Sequence, residues 1–456
     1  MAPVLEALSM KIRSHQNKAT LSEPEKSSGA SSLKVILSCL SGNTLEWFDF
    51  AVYGYIAPLV ATQFFPSENY LSSLLLMYSV FAVGFLTRPL GAILFGYVGD
   101  VYGRKRALIL SSLCMAIPTF CIGLLPTYDH IGVMAPVCLL ICRICQGLSV
   151  GGEFTGSFIY LTEHAPIKRR GFFSCWADLG CNLGMILGSS TVAFLKTYLS
   201  KEDFATFGWR IPFLCGILLA FVGVYIRRHL RETSTFLKKE KQDKIPLKNL
   251  LKNHPEKLFF ATLLLTINAL GYYILVVFIP NQNVIFGNLT AAESYFMNNV
   301  VLATIILATF MSATLGDFID RVKIYKAGCI GCMILAYPLF HSMHSFGYAP
   351  FSFAGHMTLL MLFATCLGCC FGPRPIILVT AFPVHVRFTA IALIFSVGNG
   401  IFGGTAPLIA TFMLEKTGIV EMPAVMILCA SILTLIGLHH LQKIKEPEEV
   451  KDPEGI

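Results

Sequence analysis

The sequence predicts an all-α membrane protein: twelve transmembrane helices in two pseudo-symmetric six-helix bundles. Three observations predict it. First, 55% of the 456 residues are hydrophobic and only 14% are charged, with a mean hydropathy of +0.66. A soluble chain would carry about a quarter charged residues. Second, long apolar stretches recur, and about 20 such residues cross a hydrocarbon core of about 30 Å. Third, one loop occurs twice. Gly96-Tyr97-Val98-Gly99-Asp100-Val101-Tyr102-Gly103-Arg104 ends one apolar run, and Gly316-Asp317-Phe318-Ile319-Asp320-Arg321 ends another. Pro166 to Arg170 likewise matches Pro383 to Arg387. Repetition at half the chain length, in so apolar a protein, implies two similar bundles facing each other across a pseudo-two-fold axis. Such an architecture moves solutes.

The spans read 34–63, 71–98, 107–126, 132–163, 171–196, 210–229, 257–285, 294–316, 325–345, 354–381, 388–415 and 420–441. They are continuously apolar rather than alternating, which makes them helices and not barrel strands. The second and eighth end in the repeated loop, and the fourth and tenth end in the repeated Pro-to-Arg turn. Residues 1–33 are polar and Ser-rich and read as a disordered tail. The first bundle is 34–229, a basic linker with a surface helix follows at 230–256, the second bundle is 257–441, and 442–456 is a short tail.

Lys and Arg set the orientation. Arg104, Lys105 and Arg106, Lys168 to Arg170, Arg321, Lys323 and Lys326, and ten basic residues from Arg227 to Lys257 fall on one side. Only Lys196, Lys201, Arg210 and Lys416 fall on the other. Both termini are therefore expected in the cytoplasm. This bias accounts for the net charge of +8, so nucleic acid is not an expected partner. Fifteen cysteines include three Cys-x-x-Cys spacings within or beside apolar spans, and these read as packing residues rather than a metal site. No nucleotide-binding loop of the Gly-x-x-x-x-Gly-Lys type is present, so ATP-driven transport is unsupported and no cofactor is expected.

From Gly42 to about Gly418 the chain resembles the metabolite:proton symporter branch of the major facilitator superfamily. The resemblance is carried by "GNTLEWFDFAVYGY", "RPLGAILFGYVGDVYGRKRAL", "RICQGLSVGGEFTGSFIYLTEHAPIKRRG", "GWRIPFL", "RETSTF" and "FPVHVRFTAIALIFSVGNGIFGGTAPLIATFM". It implies proton-driven import of a small organic metabolite by alternating access, with relatives that carry proline or betaine, 2-oxoglutarate, and citrate. The sequence also departs from the pattern. Val101 replaces a basic residue, Lys323 stands where the second loop should have a glycine, Thr380 and Ala381 precede Phe382-Pro383 in place of a Glu, and Asp178 replaces a Gln-like residue.

Charge inside a span is costly and marks candidate sites. Glu46 and Asp49, three residues apart, share a helix face and suit proton acceptance or a cationic substrate group. Arg143, in the proton-coupling motif Arg143-x-x-Gln146-Gly147 that the resemblance implies, and Glu153 suit either coupling or a structural ion pair. Asp178 is expected to face the cavity or a partner such as Arg143. Arg374, between Pro373 and Pro375, sits where the helix should break and suits a substrate carboxylate. Tyr53, Tyr273 and Asn399 are candidate cavity-lining hydrogen-bonders. Asp100, Arg104, Gly96 and Gly103, with the counterparts Asp320 and Arg321, read as an inner gate, and Arg88 as a gate or anchor. Arg143 and Arg374 together point to a di- or tricarboxylate substrate. The alternatives are a zwitterion such as proline or betaine, its cationic end on Asp49, and a non-transporting receptor. A monomer in a lipid bilayer is expected.

Overall fold

The computed structural model describes residues 29–68, 70–228, 232–237, 246–285, 290–344 and 353–444. Every regular element among them is helical. The first bundle contains α1 (Gly29–Phe64), α2 (Tyr70–Tyr97), α3 (Arg104–Leu124), α4 (Met134–His164), α5 (Trp176–Tyr198) and α6 (Ile211–Arg228). The second contains α7 (Pro255–Asn283), α8 (Ala291–Leu315), α9 (Arg321–His344), α10 (Phe353–Ala381), α11 (Arg387–Leu414) and α12 (Met422–Lys443). Among the described residues, ten helices are long and apolar enough to cross a membrane, and α1 and α6 complete the expected twelve. The helix of α1 starts at Gly29, inside the segment expected as a tail. No proline interrupts residues 29–33, and extending an existing helix adds one hydrogen bond per residue fixed.

Within the first bundle α1 packs on α5, and α4 packs on both α2 and α3. Within the second, α10 sits between α8 and α9, and α12 packs on α7 and α9. Among the contacts between the halves are α2 against α11 and α5 against α8. These contacts exchange under the pseudo-two-fold, as a repeated sequence requires. Small residues allow the close crossings. A Cβ on Gly184 would lie 2.4 Å from the Thr44 carbonyl oxygen, and one on Gly188 would lie 2.6 Å from Ala51 Cβ, so the α5 glycines let α1 approach.

Four interruptions matter for the site. The helix stops at Gly372-Pro373 and resumes at Arg374, as the two prolines predict. Single π turns occur at Val98–Tyr102, Ile274–Phe278 and Asn399–Gly403, a feature that often marks functional positions. In the linker, the expected surface helix is Pro246–Asn253, but it also packs on α7, α11 and α2. Its Leu250 is fully buried while Lys248 and Lys252 lie on other faces, so an amphipathic helix straps both halves.

Candidate functional site

A cavity lies between the halves and draws equally on both. From the first come Glu46 and Trp47 of α1, Arg88 of α2, Val150, Phe154 and Thr155 of α4, and Asp178, Cys181 and Asn182 of α5. From the second come Asn268, Ala269, Tyr272 and Tyr273 of α7, Phe371 and Arg374 of α10, and Phe395, Ser396 and Asn399 of α11. Tyr273 and Asn399 stand immediately before and at the start of π turns, which turn the helix faces toward the cavity. Trp47, Tyr272, Tyr273 and Phe371 form a continuous aromatic wall, with ring centroids 5.9 Å apart for Trp47–Tyr272, Tyr272–Tyr273 and Tyr272–Phe371.

The charged groups in this cavity are two acids and two bases. Asp178 Oδ1 accepts a hydrogen bond from Arg374 Nη2 at 2.5 Å, joining α5 to α10. The partner of Asp178 is therefore Arg374, and not Arg143, because the break at Pro373 turns Arg374 inward while Arg143 is engaged elsewhere. The Arg374 guanidinium carbon lies 4.6 Å from the Phe371 ring centroid and 5.0 Å from that of Phe395. Arg88, expected as a gate or anchor, lines the cavity, stacked 3.9 Å over Phe85 and 4.8 Å over Phe50. Glu46 is 1% exposed, and neither of its carboxylate oxygens has a hydrogen-bond partner among the described residues.

Asp49 and Arg143 form a second cluster behind this wall. Asp49 Oδ2 accepts from Arg143 Nη1 at 2.9 Å, and Oδ1 accepts from Gln146 Nε2 at 3.0 Å and from the Thr119 hydroxyl at 3.1 Å. Arg143 also lies 3.5 Å over the Tyr53 ring. Tyr53 is 1% exposed and donates its hydroxyl to the Met77 carbonyl. It supports Arg143, then, and does not line the cavity, since α1 turns it toward α2.

Glu153 belongs to a third cluster. Arg227, counted in the sequence only as a basic residue beside the membrane, folds back along α6. It donates to Glu153 with two nitrogens, at 2.9 Å to Oε2 and 2.5 Å to Oε1. Ser111 and Ser112 also donate to Oε2, at 2.7 and 3.0 Å. Such two-point, fully satisfied pairs are built to stay closed.

The face carrying the basic loops is held shut by two matching locks. Asp100 accepts from the backbone N–H groups of Phe388 at 3.2 Å and Thr389 at 2.9 Å, capping the start of α11. Arg104 holds Asp100 at 3.1 Å and donates to the Gly99 and Val384 carbonyls. In the other half Asp317, not Asp320, does this work. It accepts from the N–H groups of Gly171 and Phe172 at 2.7 and 2.9 Å, and Arg321 reaches it at 3.3 Å while donating to the Gly316 carbonyl. Asp320 is exposed, and among the described residues its carboxylate accepts from the Val322 N–H. The true repeat is Gly-Asp-x-x-x-Arg, with Asp320 in the place of Gly103, so no glycine is owed at Lys323. Gly103 has φ +110°, and its missing side chain leaves room for the Glu232 carboxylate 2.2 Å from where a Cβ would stand. A Cβ on Gly96 would lie 2.9 Å from Thr389 Cα, so α2 and α11 touch there.

Two further acids at this face had no role assigned from the sequence. Glu163 sits between Arg387, at 3.0 Å, and Arg104, at 3.6 Å. Glu232, in the "RETSTF" segment, accepts from the N–H groups of Arg104 and Lys105 and so caps α3. Burial holds its carboxyl above the usual range, against the opposing backbone donors and the Arg104 charge.

Comparison with known proteins accords with this architecture. A family model described as sugar (and other) transporter matches residues 34–253 and 238–446. The proline/betaine transporter of Escherichia coli (strain K12) is 34% identical over 418 residues, 88% of this chain and 82% of that one. The glycine betaine/proline/ectoine/pipecolic acid transporter OusA of Dickeya dadantii (strain 3937) is 32% identical over 433 residues, 91% and 84%. The structure of the proton:xylose symporter XylE bound to 6-bromo-6-deoxy-D-glucose matches with a TM-score of 0.76 at 16% identity, covering 93% of this chain and 99% of that one. The chain belongs to the sugar (and other) transporter family and is a multi-pass membrane protein with the major facilitator superfamily fold.

Proposed function

We propose that the chain is a proton symporter that imports a small zwitterionic solute of the proline or betaine kind. The observation that carries this reading is the charge balance of the central cavity. Glu46 and Asp178 face Arg88 and Arg374, so the lining is formally neutral and offers both signs. A solute with one carboxylate and one ammonium fits that balance, whereas a di- or tricarboxylate would add two or three negative charges to it. The sequence-based argument for such an anion counted Arg143 as a second clamp, but Arg143 is spent on Asp49 and lies outside the lining. The two relatives above carry proline and betaine in their names, which favours the same reading.

In this scheme the solute carboxylate goes to Arg374 and its cationic end to Glu46, against Trp47, Tyr272 and Tyr273. Ring faces attract quaternary ammonium groups, and an ionised carboxylate without a donor is expensive to bury, so Glu46 favours a cation or a proton. The Lys and Arg bias assigns the basic face, both termini included, to the cytoplasm, and the bacterial relatives favour an inner membrane. Asp100 and Asp317 then close the inner side, and inward opening requires both caps to break. Asp49, held by Arg143 and Gln146, and Asp178, held by Arg374, are the candidate proton carriers, while Glu153 is assigned to structure by its fork with Arg227. The protein acts without a cofactor, as a monomer. Uptake of labelled proline, glycine betaine and citrate into proteoliposomes, with and without an inward proton gradient, tests the proposal. Gradient-stimulated uptake of either zwitterion supports it, and uptake of citrate alone overturns it.

A further inference from the structure

Two buried carboxylate–guanidinium pairs in this protein are built differently. Glu153 and Arg227 meet through two nitrogens and two oxygens, with Ser111 and Ser112 satisfying the carboxylate further. Asp178 and Arg374 meet through one bond. Asp178 Oδ2 and Arg374 Nε are both buried without a hydrogen-bond partner among the described residues, although the side chains are only 7% and 4% exposed. A guanidinium presents a fork that matches a carboxylate at two points. At Arg374 that fork is half used. The pair also lies in the lining of the cavity and ties one half to the other, whereas Glu153 and Arg227 belong to the same bundle.

We propose that Asp178 is an internal stand-in for the solute's carboxylate, and that it must accept the transported proton before Arg374 can bind the solute. This rests on the zwitterion–proton reading above and names the proton's site within it. An incoming proton forms an O–H bond on Asp178, and the charge-assisted bond from Arg374 Nη2 is released. The solute carboxylate then accepts from Nη2 and from the unused Nε, completing the fork. Phe371, Phe395 and Phe154 hold the guanidinium while its partner changes. On release inward, the proton leaves Asp178, the carboxylate returns to Arg374, and the empty carrier is again tied across α5 and α10. A tethered carboxylate competes at very high effective concentration, so solute alone displaces it poorly. That makes proton and solute obligatory companions.

The other titratable groups around Asp178 are Glu46 on α1, Arg88 on α2, Tyr272 on α7, Cys181 on its own helix and Cys175 just before it. Among the described residues no arginine is hydrogen-bonded to Glu46, and Tyr272 donates to Asn182. Arg374 is thus the group for which the ionised Asp178 carboxylate and a solute carboxylate compete.

The test uses full-length protein and glycine betaine, or proline if that is the better ligand. Wild-type binding should weaken about tenfold per pH unit above the titration of the site, with about one proton taken up per solute bound. Asp178→Asn should bind with a flat pH profile and take up no proton, and Asp178→Glu should restore the slope. Where Asp178→Asn fails to fold, infrared difference spectra of the wild type decide. Solute binding should raise a protonated carboxyl band that Asp49→Asn leaves in place. Retention of the wild-type slope in Asp178→Asn, absence of that band, or loss of the slope in Asp49→Asn alone overturns the proposal. Failure of the wild type to take up either zwitterion would instead sink the substrate reading.

Discussion

Asp100 at the end of α2 takes both the backbone N–H and the hydroxyl of Thr389 at the start of α11, at 2.9 and 2.8 Å. Asp317 makes the equivalent pair of backbone contacts with Gly171 and Phe172. Each half thus caps a helix of the other, and the gate is two copies of one device.

Removing either cap should therefore loosen the opposite half. Charge-assisted hydrogen bonds contribute roughly 1.5–3 kcal/mol. Asp100→Ala should speed amide exchange at Phe388 and Thr389 by about ten- to a hundredfold, and Asp317→Ala should do the same at Gly171 and Phe172. Asp320→Ala should leave both sites unchanged. Hydrogen–deuterium exchange read by mass spectrometry checks all three.

The Glu153–Arg227 fork should matter for stability. Truncating one partner strands a buried charge, at a cost of about 3–5 kcal/mol. Glu153→Ala and Arg227→Ala should each lower the melting temperature sharply. A double replacement, Glu153→Leu with Arg227→Met, should recover much of the loss, because no unpaired charge remains. Thermal unfolding of purified protein gives the comparison.

Glu46 should behave oppositely. Among the described residues no hydrogen bond holds its carboxylate, so Glu46→Gln should leave the melting temperature near that of wild type. Loss of one charge-assisted contact should raise KM for betaine about ten- to a hundredfold. Parallel melting and uptake curves separate the two effects.

Glu232 carries a pH signature outside the membrane spans. Its folded carboxyl lies above the unfolded value near 4.5 because burial outweighs its donors. Between those two values the folded state binds more protons, so stability falls as pH rises through the window. The contribution is full below the unfolded value and lost above the folded one. Glu232→Gln should flatten that part of a melting-temperature profile taken from pH 4.5 upward.

Much of this was legible in the sequence because membrane spans and half-chain repeats are one-dimensional signals. The twelve helices, the break at Pro373 and the gate aspartate Asp100 are all of this kind. Pairings are not, since Asp178 reaches Arg374 and Glu153 reaches Arg227 only after helices distant in sequence are packed. Arg227 looked like a topology signal because a basic residue at a helix end usually is one. The confusion of Asp320 with Asp317 was avoidable. Asp100 and Arg104 are four residues apart, as are Asp317 and Arg321, and only that frame puts both partners on one helical turn. Trp47, Glu163 and Glu232 lie within the motifs that carry the family resemblance, but nothing local indicates what they face.

The central claim is that a neutral zwitterion and a proton travel together, which makes transport carry positive charge. Proteoliposomes on a solid-supported membrane would report it directly. Glycine betaine or proline added outside should drive an inward positive current that grows with an inward proton gradient, and citrate should not. Solute uptake with no current, or a current only with citrate, would contradict the account.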